Sequence, residues 1–349
     1  MSNEKKTKGQ FYTVNSTYIL EGFVKPTLDT QIIEPFAGKG DLIEWIGDAF
    51  AGRIEAYDID PKKEGIIQRD TLLYPPDYSD KWIITNPPYL ARNKCDTKTV
   101  FDKYDTNDLY KCFITSITQQ NACRGGIFII PIGFFLSPRD IDVRCRNEFL
   151  SKYRLTKVKY FEENVFPDTT TTVVAFSFEK SDTLLTEQSV EWTIRPSGQK
   201  QNFTLSQKND WIIGGDIYIL PISNPNIRIR RYVEGNSLKP DEKITCLTLT
   251  ALDSGKEDGR ICLQYKEGYL YKAKETSRSY ATLCIQGVEL SAEKQQQIAV
   301  LFNRIIEEKR AETWSLFLPQ FRESKEYARK RIPFELAYKI VLHIITQKM

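Results

Sequence analysis

The sequence predicts an α/β protein, with a doubly wound parallel sheet in the first half of the chain and a mixed α+β domain after it. Three observations predict this fold class. Short apolar runs alternate with helical periodicity, several of these runs end in an acidic residue or a tight turn, and the pattern changes near residue 185. With 349 residues, of which 41% are hydrophobic, the chain is long enough for two domains with cores of their own.

The predicted strands of the first half are short and mostly apolar. After the first of them, Leu42, Ile43 and Ile46 recur at helical spacing, and a longer helix is predicted over Asp108–Cys123. The predicted strands are Gln31–Glu34, Arg53–Asp58, Gly65–Asp70, Lys81–Thr85, Ile127–Pro131 and Thr172–Phe178.

A polar stretch over Glu179–Gln188 marks the predicted boundary, which divides the chain into residues 1–185 and 186–349. Beyond it we expect irregular strands, as at Trp211–Pro221 and Ile244–Leu252, and one amphipathic helix from Ala292 to Trp314. Residues 1–186 carry 24 Lys and Arg against 26 Asp and Glu, a net charge of −2, whereas residues 187–349 carry 25 against 20, a net of +5. The basic second half indicates contact with a polyanion.

The composition excludes several classes of protein. No run approaches the roughly 18 consecutive apolar residues of a membrane span, and the polar N-terminus lacks the apolar core of a secretory signal. Seven scattered cysteines without a C-x-x-C pair indicate neither a disulfide framework nor a zinc site, and one histidine, His343, excludes a multi-histidine metal site. We therefore expect a cytoplasmic protein that uses neither a metal nor a histidine base.

A glycine-containing loop, residues 34–41, follows the first predicted strand. Glycine at this place lets the backbone approach a ligand closely. The G-x-G spacing lacks the third glycine of a dinucleotide site and the G-K-[ST] of a phosphate-binding loop. Asp58 and Asp70 end the next two strands, where carboxylates contact ribose hydroxyls and an adenine amino group. With Glu34 they form a series of acids at the sheet edge where such folds bind ligands.

The tetrapeptide Asn86-Pro87-Pro88-Tyr89 follows the fourth predicted strand. Two prolines fix the backbone there and remove two N–H donors. The side-chain oxygen of Asn86 and the carbonyl of Pro87 can then accept hydrogen bonds from one amino group, and Tyr89 offers a flat face for stacking. This arrangement fits an exocyclic amino group on an aromatic base.

Taken in order, the segments F-A-G-K-G, A-Y-D-I-D, Q-R-D-T-L and N-P-P-Y-L resemble the amino-methyltransferases, in particular the N6-adenine DNA methyltransferases. G-Q-F-Y-T at residues 9–13 and V-F-P-D at residues 165–168 are also similar to that family. The resemblance covers roughly residues 9–178. It implies a Rossmann-like S-adenosylmethionine (AdoMet)-dependent methyltransferase domain and then a DNA target-recognition domain. It also implies that AdoMet is the cofactor and that adenine N6 is methylated after base flipping from double-stranded DNA.

The family's functional residues map onto positions of this chain. For AdoMet binding the resemblance implies Thr13, Glu34, Ala37, Gly38, Asp58, Asp70 and Asn86. For catalysis it implies Asn86, Pro87, Pro88 and Tyr89. Tyr89 and Phe166 are the implied neighbours of the flipped base, whereas Phe36 is left between a cofactor contact and a core position.

Two basic segments in the second half are candidate DNA contacts, chiefly to phosphates, with one or two arginines on guanine edges. Their members are Arg228, Arg230 and Arg231 in the first segment and Arg322, Arg329, Lys330 and Arg331 in the second. Three alternatives stay open: methylation of RNA adenine, methylation of a protein glutamine amide, and a non-catalytic DNA-binding protein on the same fold. The candidate protein partner is a separately encoded restriction endonuclease, unless the enzyme acts as a solitary methylase.

Overall fold

The computed structural model describes residues 13–120, 123–166, 171–253, 260–321 and 329–347. The chain divides into two compact units, Met1–Trp211 and Ile212–Met349. Each unit has a sheet of its own.

A single mixed sheet forms the centre of the first unit. Its strands, among the described residues, are β1 (Ile32–Glu34), β2 (Ile54–Asp58), β3 (Ile67–Gln68), β4 (Trp82–Thr85), β5 (Gly125–Pro131), β6 (Tyr153–Phe161), β7 (Val173–Lys180), β8 (Glu187–Arg195) and β9 (Lys200–Ser206). Their order is β3-β2-β1-β4-β5-β7-β6-β8-β9. The five strands from β3 to β5 pair in parallel, and β7 lies antiparallel between β5 and β6. This parallel core confirms the predicted α/β fold class.

The predicted boundary at residue 185 is wrong, because the sheet continues beyond it. β8 pairs in parallel with β6, and β9 pairs antiparallel with β8. Residues 187–211 carry three basic and three acidic residues, so moving the boundary leaves the two net charges unchanged, at −2 and +5.

The helices of the described part of the first unit are short. They are α1 (Ser16–Ile19), α2 (Asp41–Ile46), α3 (Thr99–Tyr104), α4 (Leu109–Gln119), α5 (Gly133–Leu136) and α6 (Asp140–Leu150). The ring of Phe128, on the buried central strand β5, contacts four other phenylalanine rings at centroid distances of 4.5–5.8 Å. A central parallel strand is covered on both faces, which explains why β5 is a continuous apolar run.

The strand order reverses beside β1. The chain builds β2 and β3 on one side of β1 and then places β4 and β5 on the other side. In open α/β sheets ligands bind outside the carboxyl ends of the strands at such a reversal. Glu34, Asp58 and the N-P-P-Y tetrapeptide all lie at or just after these carboxyl ends.

The second unit is built on an antiparallel sheet in the order β10-β13-β11-β12. Its described elements are β10 (Arg228–Arg231), β11 (Glu242–Thr250), β12 (Cys262–Tyr265), β13 (Tyr280–Gln286), β14 (Gln320–Phe321), β15 (Arg329–Lys330), α7 (Ala292–Thr313) and α8 (Phe334–Gln347). The amide of Asn303 on α7 pairs with both backbone groups of Leu263 at 2.9 Å and so covers the edge strand β12. No helix in the described ranges is long and apolar enough to span a membrane.

The predicted helix over 292–314 is confirmed, but the strand predicted over Trp211–Pro221 is wrong. That stretch contains a short 3-10 helix, Gly215–Ile219, and Asp210 and Trp211 adopt a positive φ of 54° and 56°. Left-handed backbone interrupts an extended strand, although the apolar residues beside it are buried.

Candidate active site

A cavity of about 450 Å³ opens at the carboxyl ends of β1, β2 and β4. Four of the residues predicted to bind a cofactor line it: Gly38, Asp58, Asp70 and Asn86. Pockets that bind small ligands have volumes of about 300–1,000 Å³, so this cavity is large enough for a nucleoside-sized molecule.

The loop after β1 is tied to the end of β2 by backbone hydrogen bonds. Gly38 has a φ of 52°, in the left-handed region that favours glycine, and its N–H donates to Asp58 Oδ2 at 2.8 Å. Asp60 N–H donates to Asp58 Oδ1 at 2.8 Å, and Ala37 N–H donates to the carbonyl of Tyr57 at 2.8 Å. These bonds fix the direction of the Asp58 carboxylate, whereas Ala37 supports the loop without lining the cavity.

Glu34 is fully buried at the end of β1. Its Oε1 accepts hydrogen bonds from the Phe36 N–H at 3.1 Å and from Thr85 Oγ1 at 2.7 Å. Burial, aided by the charge of Asp58, raises the pKa of Glu34 to about 8, although these two bonds oppose the rise. Its Oε2 is buried and has no hydrogen-bond partner among the described residues. A buried carboxyl with an unpaired oxygen fits a cationic ligand, and AdoMet carries both a sulfonium and an ammonium group.

Asn86 and Tyr89 are joined in one buried network. Asn86 Nδ2 donates to Thr13 Oγ1 at 3.1 Å, which brings together two residues predicted to bind the cofactor. The Tyr89 hydroxyl lies 2.6 Å from the Ile129 carbonyl oxygen and also against Asn86 Oδ1, and these two acceptors share its single proton. Burial raises the pKa of Tyr89 well above its ordinary value, so the hydroxyl remains a donor at every ordinary pH.

The Tyr89 ring is packed into the protein rather than presented to a base. Only 7% of the residue is exposed, and the ring of Tyr110 lies edge-on to it at 6.3 Å. Stacking on a flipped base therefore requires the ring to become more exposed. Because an amide oxygen can accept two hydrogen bonds, the bond from Tyr89 does not by itself exclude Asn86 Oδ1 from holding an amino group.

Asp70 and Phe36 have structural contacts in addition to lining the cavity. Asp70 Oδ1 accepts hydrogen bonds from the N–H groups of Leu72 and Leu73 at 3.1 and 3.0 Å, which orders the turn after β3. Phe36 lines the cavity and packs edge-on against Phe113 at 5.1 Å. Phe36 therefore contacts the core as well as the cavity, the two positions that the sequence left open.

The apolar wall of the cavity was not predicted. The segment after N-P-P-Y-L contributes Val100 and Phe101 from α3, and Leu72 and Leu73 follow Asp70. The apolar pairs Val100-Phe101 and Leu72-Leu73 within otherwise polar segments are the signal that could have indicated this wall.

The V-F-P-D segment at residues 165–168 lies only partly within the described residues. Phe166 is 1% exposed, and the carbonyl of Val165 before it accepts a hydrogen bond from Asn15 Nδ2 at 3.3 Å. Residues 167–170 lie outside the described part, as do residues 9–12 of the segment before the first strand. Phe166 therefore occupies a core position here, and contact with a target base requires it to become exposed.

Several of the predicted DNA-binding arginines have partners within the second unit. Arg230 donates to both carboxylate oxygens of Glu242 at 2.6 Å, so its charge is largely compensated. Arg231 donates to the carbonyls of Ser277 and Glu275 at 2.8 and 2.6 Å. Arg228, at the start of β10, is exposed.

The second basic segment is similarly tied to the backbone. Lys330 Nζ donates to the carbonyl of Trp314 at 3.2 Å, and Arg329 Nε donates to that of Asp253 at 3.4 Å. Arg331 is half-buried, and Arg322 lies outside the described residues. These contacts show that the basic segments also have structural roles in this unit.

Comparison with known proteins matches one segment of the chain to a family. Residues 81–166 match the model of the Eco57I restriction-modification methylases. The segment contains the N-P-P-Y tetrapeptide and the strands β4 to β6, so the match confirms the predicted resemblance for this part of the chain. No curated protein matches the sequence.

Solved structures align with low identity. A modification subunit assigned to a type I restriction enzyme of Vibrio vulnificus YJ016 is 17% identical, with a TM-score of 0.43, over 55% of this chain and 49% of that one. A methyltransferase subunit of a type I restriction-modification system from Streptococcus thermophilus is 13% identical, with a TM-score of 0.37, over 53% and 47%. This chain therefore spans about half the length of those proteins.

Proposed function

We propose that this chain, whose residues 81–166 match the Eco57I restriction-modification methylase family, transfers a methyl group from AdoMet to N6 of adenine in duplex DNA. One observation supports this most strongly: a single cavity is lined both by the loop and acids of a nucleoside site and by the asparagine of N-P-P-Y. A cofactor in this cavity would lie beside the amino-group acceptor.

Each proposed cofactor residue contacts a different part of AdoMet. The Asp58 carboxylate, held by two backbone N–H groups, accepts from the ribose hydroxyls, and Asp70 accepts from the adenine amino group. Glu34 compensates the positive charge of the ligand, and Thr13 fixes the amide of Asn86. When bound, AdoMet would supply an electrophilic methyl group: its carbon–sulfur bond would break as the bond to the target nitrogen forms, leaving a neutral thioether, and the nitrogen would lose one proton to solvent.

The target adenine must leave the duplex to reach this cavity. Asn86 Oδ1 and the Pro87 carbonyl accept hydrogen bonds from its amino group and stabilise the positive charge that develops on nitrogen. Pro88, which lines the cavity, fixes the tetrapeptide, and Tyr89 and Phe166 pack against the flipped base once they become exposed. This chemistry requires neither a metal nor a covalent enzyme intermediate.

Sequence recognition is assigned to the second unit, which carries the net charge of +5. We propose that this unit recognises a short DNA sequence. The enzyme acts either beside a separately encoded restriction endonuclease or as a solitary methylase.

The experiment uses AdoMet with a labelled methyl group and three substrates: duplex DNA, RNA and a protein mixture. We expect label in DNA alone, and nucleoside analysis should identify it as N6-methyladenine. Label in RNA or protein would contradict the substrate assignment. AdoMet binding without any transfer would support the non-catalytic alternative.

A further inference from the structure

A turn before β13 in the second unit is ordered by its own side chains. We call residues 274–279 the Arg278 turn. Lys274 N–H donates to Ser277 Oγ at 3.0 Å, and Ser277 N–H donates to the carbonyl of Lys274 at 2.9 Å. These two bonds close the turn just before Arg278, so the backbone that carries the Arg278 side chain is held in place.

Arg231 holds the same turn from the neighbouring strand β10. Its guanidinium donates to the carbonyls of Ser277 and Glu275 and lies over the ring of Phe334 at 5.2 Å. A guanidinium stacked on an aromatic ring and bonded to two carbonyls has little freedom left. Arg231 was predicted to contact DNA. Because its guanidinium donates to these two carbonyls, we assign it the role of positioning the turn.

Two further segments meet the end of the Arg278 turn. Ala251 N–H donates to the carbonyl of Ser279 at 2.7 Å, and Ile332 N–H donates to the carbonyl of Ala251 at 3.0 Å. These two bonds place the segment that contains Arg331 close to the one that contains Arg278. Burial, together with the charge of Arg278, lowers the pKa of Arg331. Two neighbouring guanidinium groups favour an anion between them.

The surface beside Arg278 also contains tyrosines. Tyr280 is 47% exposed, and its ring lies 5.9 Å from that of Tyr271. Arg278 is exposed, and its side chain forms no ion pair with any described residue. Exposed arginine and tyrosine beside each other are typical of nucleic-acid contact surfaces, because both donate hydrogen bonds to phosphate oxygens.

We propose that the Arg278 turn, together with Tyr280 and Arg331, is a contact surface for the phosphodiester backbone of duplex DNA. The proposal rests on the proposed function and deepens it, because it assigns particular residues of the second unit to the substrate. Arg278 provides a planar pair of donors for a phosphate, and Arg231 holds its turn in place.

The test compares full-length variants in duplex DNA binding over a series of salt concentrations. Arg278→Ala should weaken binding and reduce the slope of log affinity against log salt by about 0.9, the value of one phosphate contact. Arg278→Lys should retain the slope, because it retains the charge. Arg304→Ala is the matched control, since Arg304 is an exposed arginine on α7 and its loss should leave the slope unchanged.

A second comparison tests the positioning role of Arg231. Arg231→Ala should weaken DNA binding less in the Arg278→Ala variant than in the wild-type protein. Both substitutions disable the same contact, so their effects should not add. If the wild-type protein methylates DNA but Arg278→Ala binds DNA with an unchanged salt slope, this inference is overturned and the proposed function is not. Wild-type protein that neither binds nor methylates DNA would overturn the proposed function as well.

Discussion

At the scale of single residues, two acids at neighbouring strand ends have different surroundings. Asp58 receives two backbone N–H donors, whereas Glu34 is fully buried and one of its oxygens has no partner among the described residues. Asp58 is therefore set to accept further hydrogen bonds from a ligand, and Glu34 to compensate a positive charge. Their substitutions should have different consequences for binding and stability.

Glu34→Gln should stabilise the protein without ligand at high pH and leave its stability unchanged near pH 4. The unfolded chain releases the Glu34 proton near the ordinary glutamate pKa of 4.5, whereas the folded chain retains it up to a pKa of about 8. The unfolded state therefore binds fewer protons between these values, and stability decreases as the pH rises through this range. Glutamine cannot ionise and therefore removes that loss of stability, which is about 4 kcal/mol at pH 8.

Thermal unfolding at two pH values measures this effect, with Glu44→Gln on the exposed side of α2 as the control. A melting temperature that rises equally at both pH values would contradict the ionisation argument. The same variant should bind AdoMet less tightly, because glutamine cannot ionise to compensate the positive charge of the bound ligand.

Asp58→Ala should weaken AdoMet binding and leave DNA binding almost unchanged. A hydrogen bond to a charged group contributes about 1.5–3 kcal/mol, so we expect roughly a 10- to 100-fold loss of cofactor affinity. Calorimetry measures it, and Asp60→Ala, which changes an acid two residues away, is the control. Unchanged AdoMet affinity would remove Asp58 from the proposed cofactor site.

Tyr89→Phe should lower kcat and leave KM for DNA and AdoMet unchanged. The phenylalanine ring can still stack on a base, but it cannot donate to Asn86 Oδ1 and the Ile129 carbonyl. Losing one such orienting bond should cost about 10-fold in rate. Steady-state kinetics with Tyr110→Phe as the control measures it, and a wild-type kcat would show that the hydroxyl does not orient Asn86.

At the scale of elements, the strands that build the site could be predicted and those that complete the sheet could not. β1, β2 and β4 are short apolar runs ended by an acid or by prolines, so local sequence determines them. β8 and β9 alternate polar and apolar residues because one of their faces is exposed, and such patterns resemble a polar linker. Their pairing with β6 depends on residues distant in the chain.

The same reason explains which site residues could be predicted. Asn86 and Asp58 lie in local motifs, and both line the cavity. The role of Arg231 depends on carbonyls up to 46 residues away, which no local pattern indicates. A basic run predicts charge on a surface, but only the fold determines which of its members hold the backbone.

Truncation distinguishes the observed boundary from the predicted one. Residues 1–211 should fold and remain soluble, whereas residues 1–185 should aggregate. The shorter piece lacks β8 and β9, so it exposes the edge of β6 and loses Trp192, a fully buried residue. Circular dichroism and size exclusion measure this, and a folded, monomeric 1–185 fragment would show that β8 and β9 are dispensable.

At the scale of the whole molecule, the two units differ in charge and in the chemistry that their residues support. The first has a net charge of −2 and contains the cavity with the N-P-P-Y tetrapeptide, and the second has a net charge of +5 and an exposed arginine turn. A methyltransferase that acts on a polyanion needs both features, one for the reaction and one for the substrate.

The most direct test of the central claim is formation of N6-methyladenine in duplex DNA by the wild-type protein and by Asn86→Ala. Removing one acceptor aimed at the developing charge should lower the rate by about 100-fold or more, while AdoMet binding remains measurable and the fold is retained. Wild-type activity with this loss in the variant is the predicted result. Methylation of DNA adenine by Asn86→Ala at the wild-type rate, or no methylation by the wild-type protein, would contradict the account.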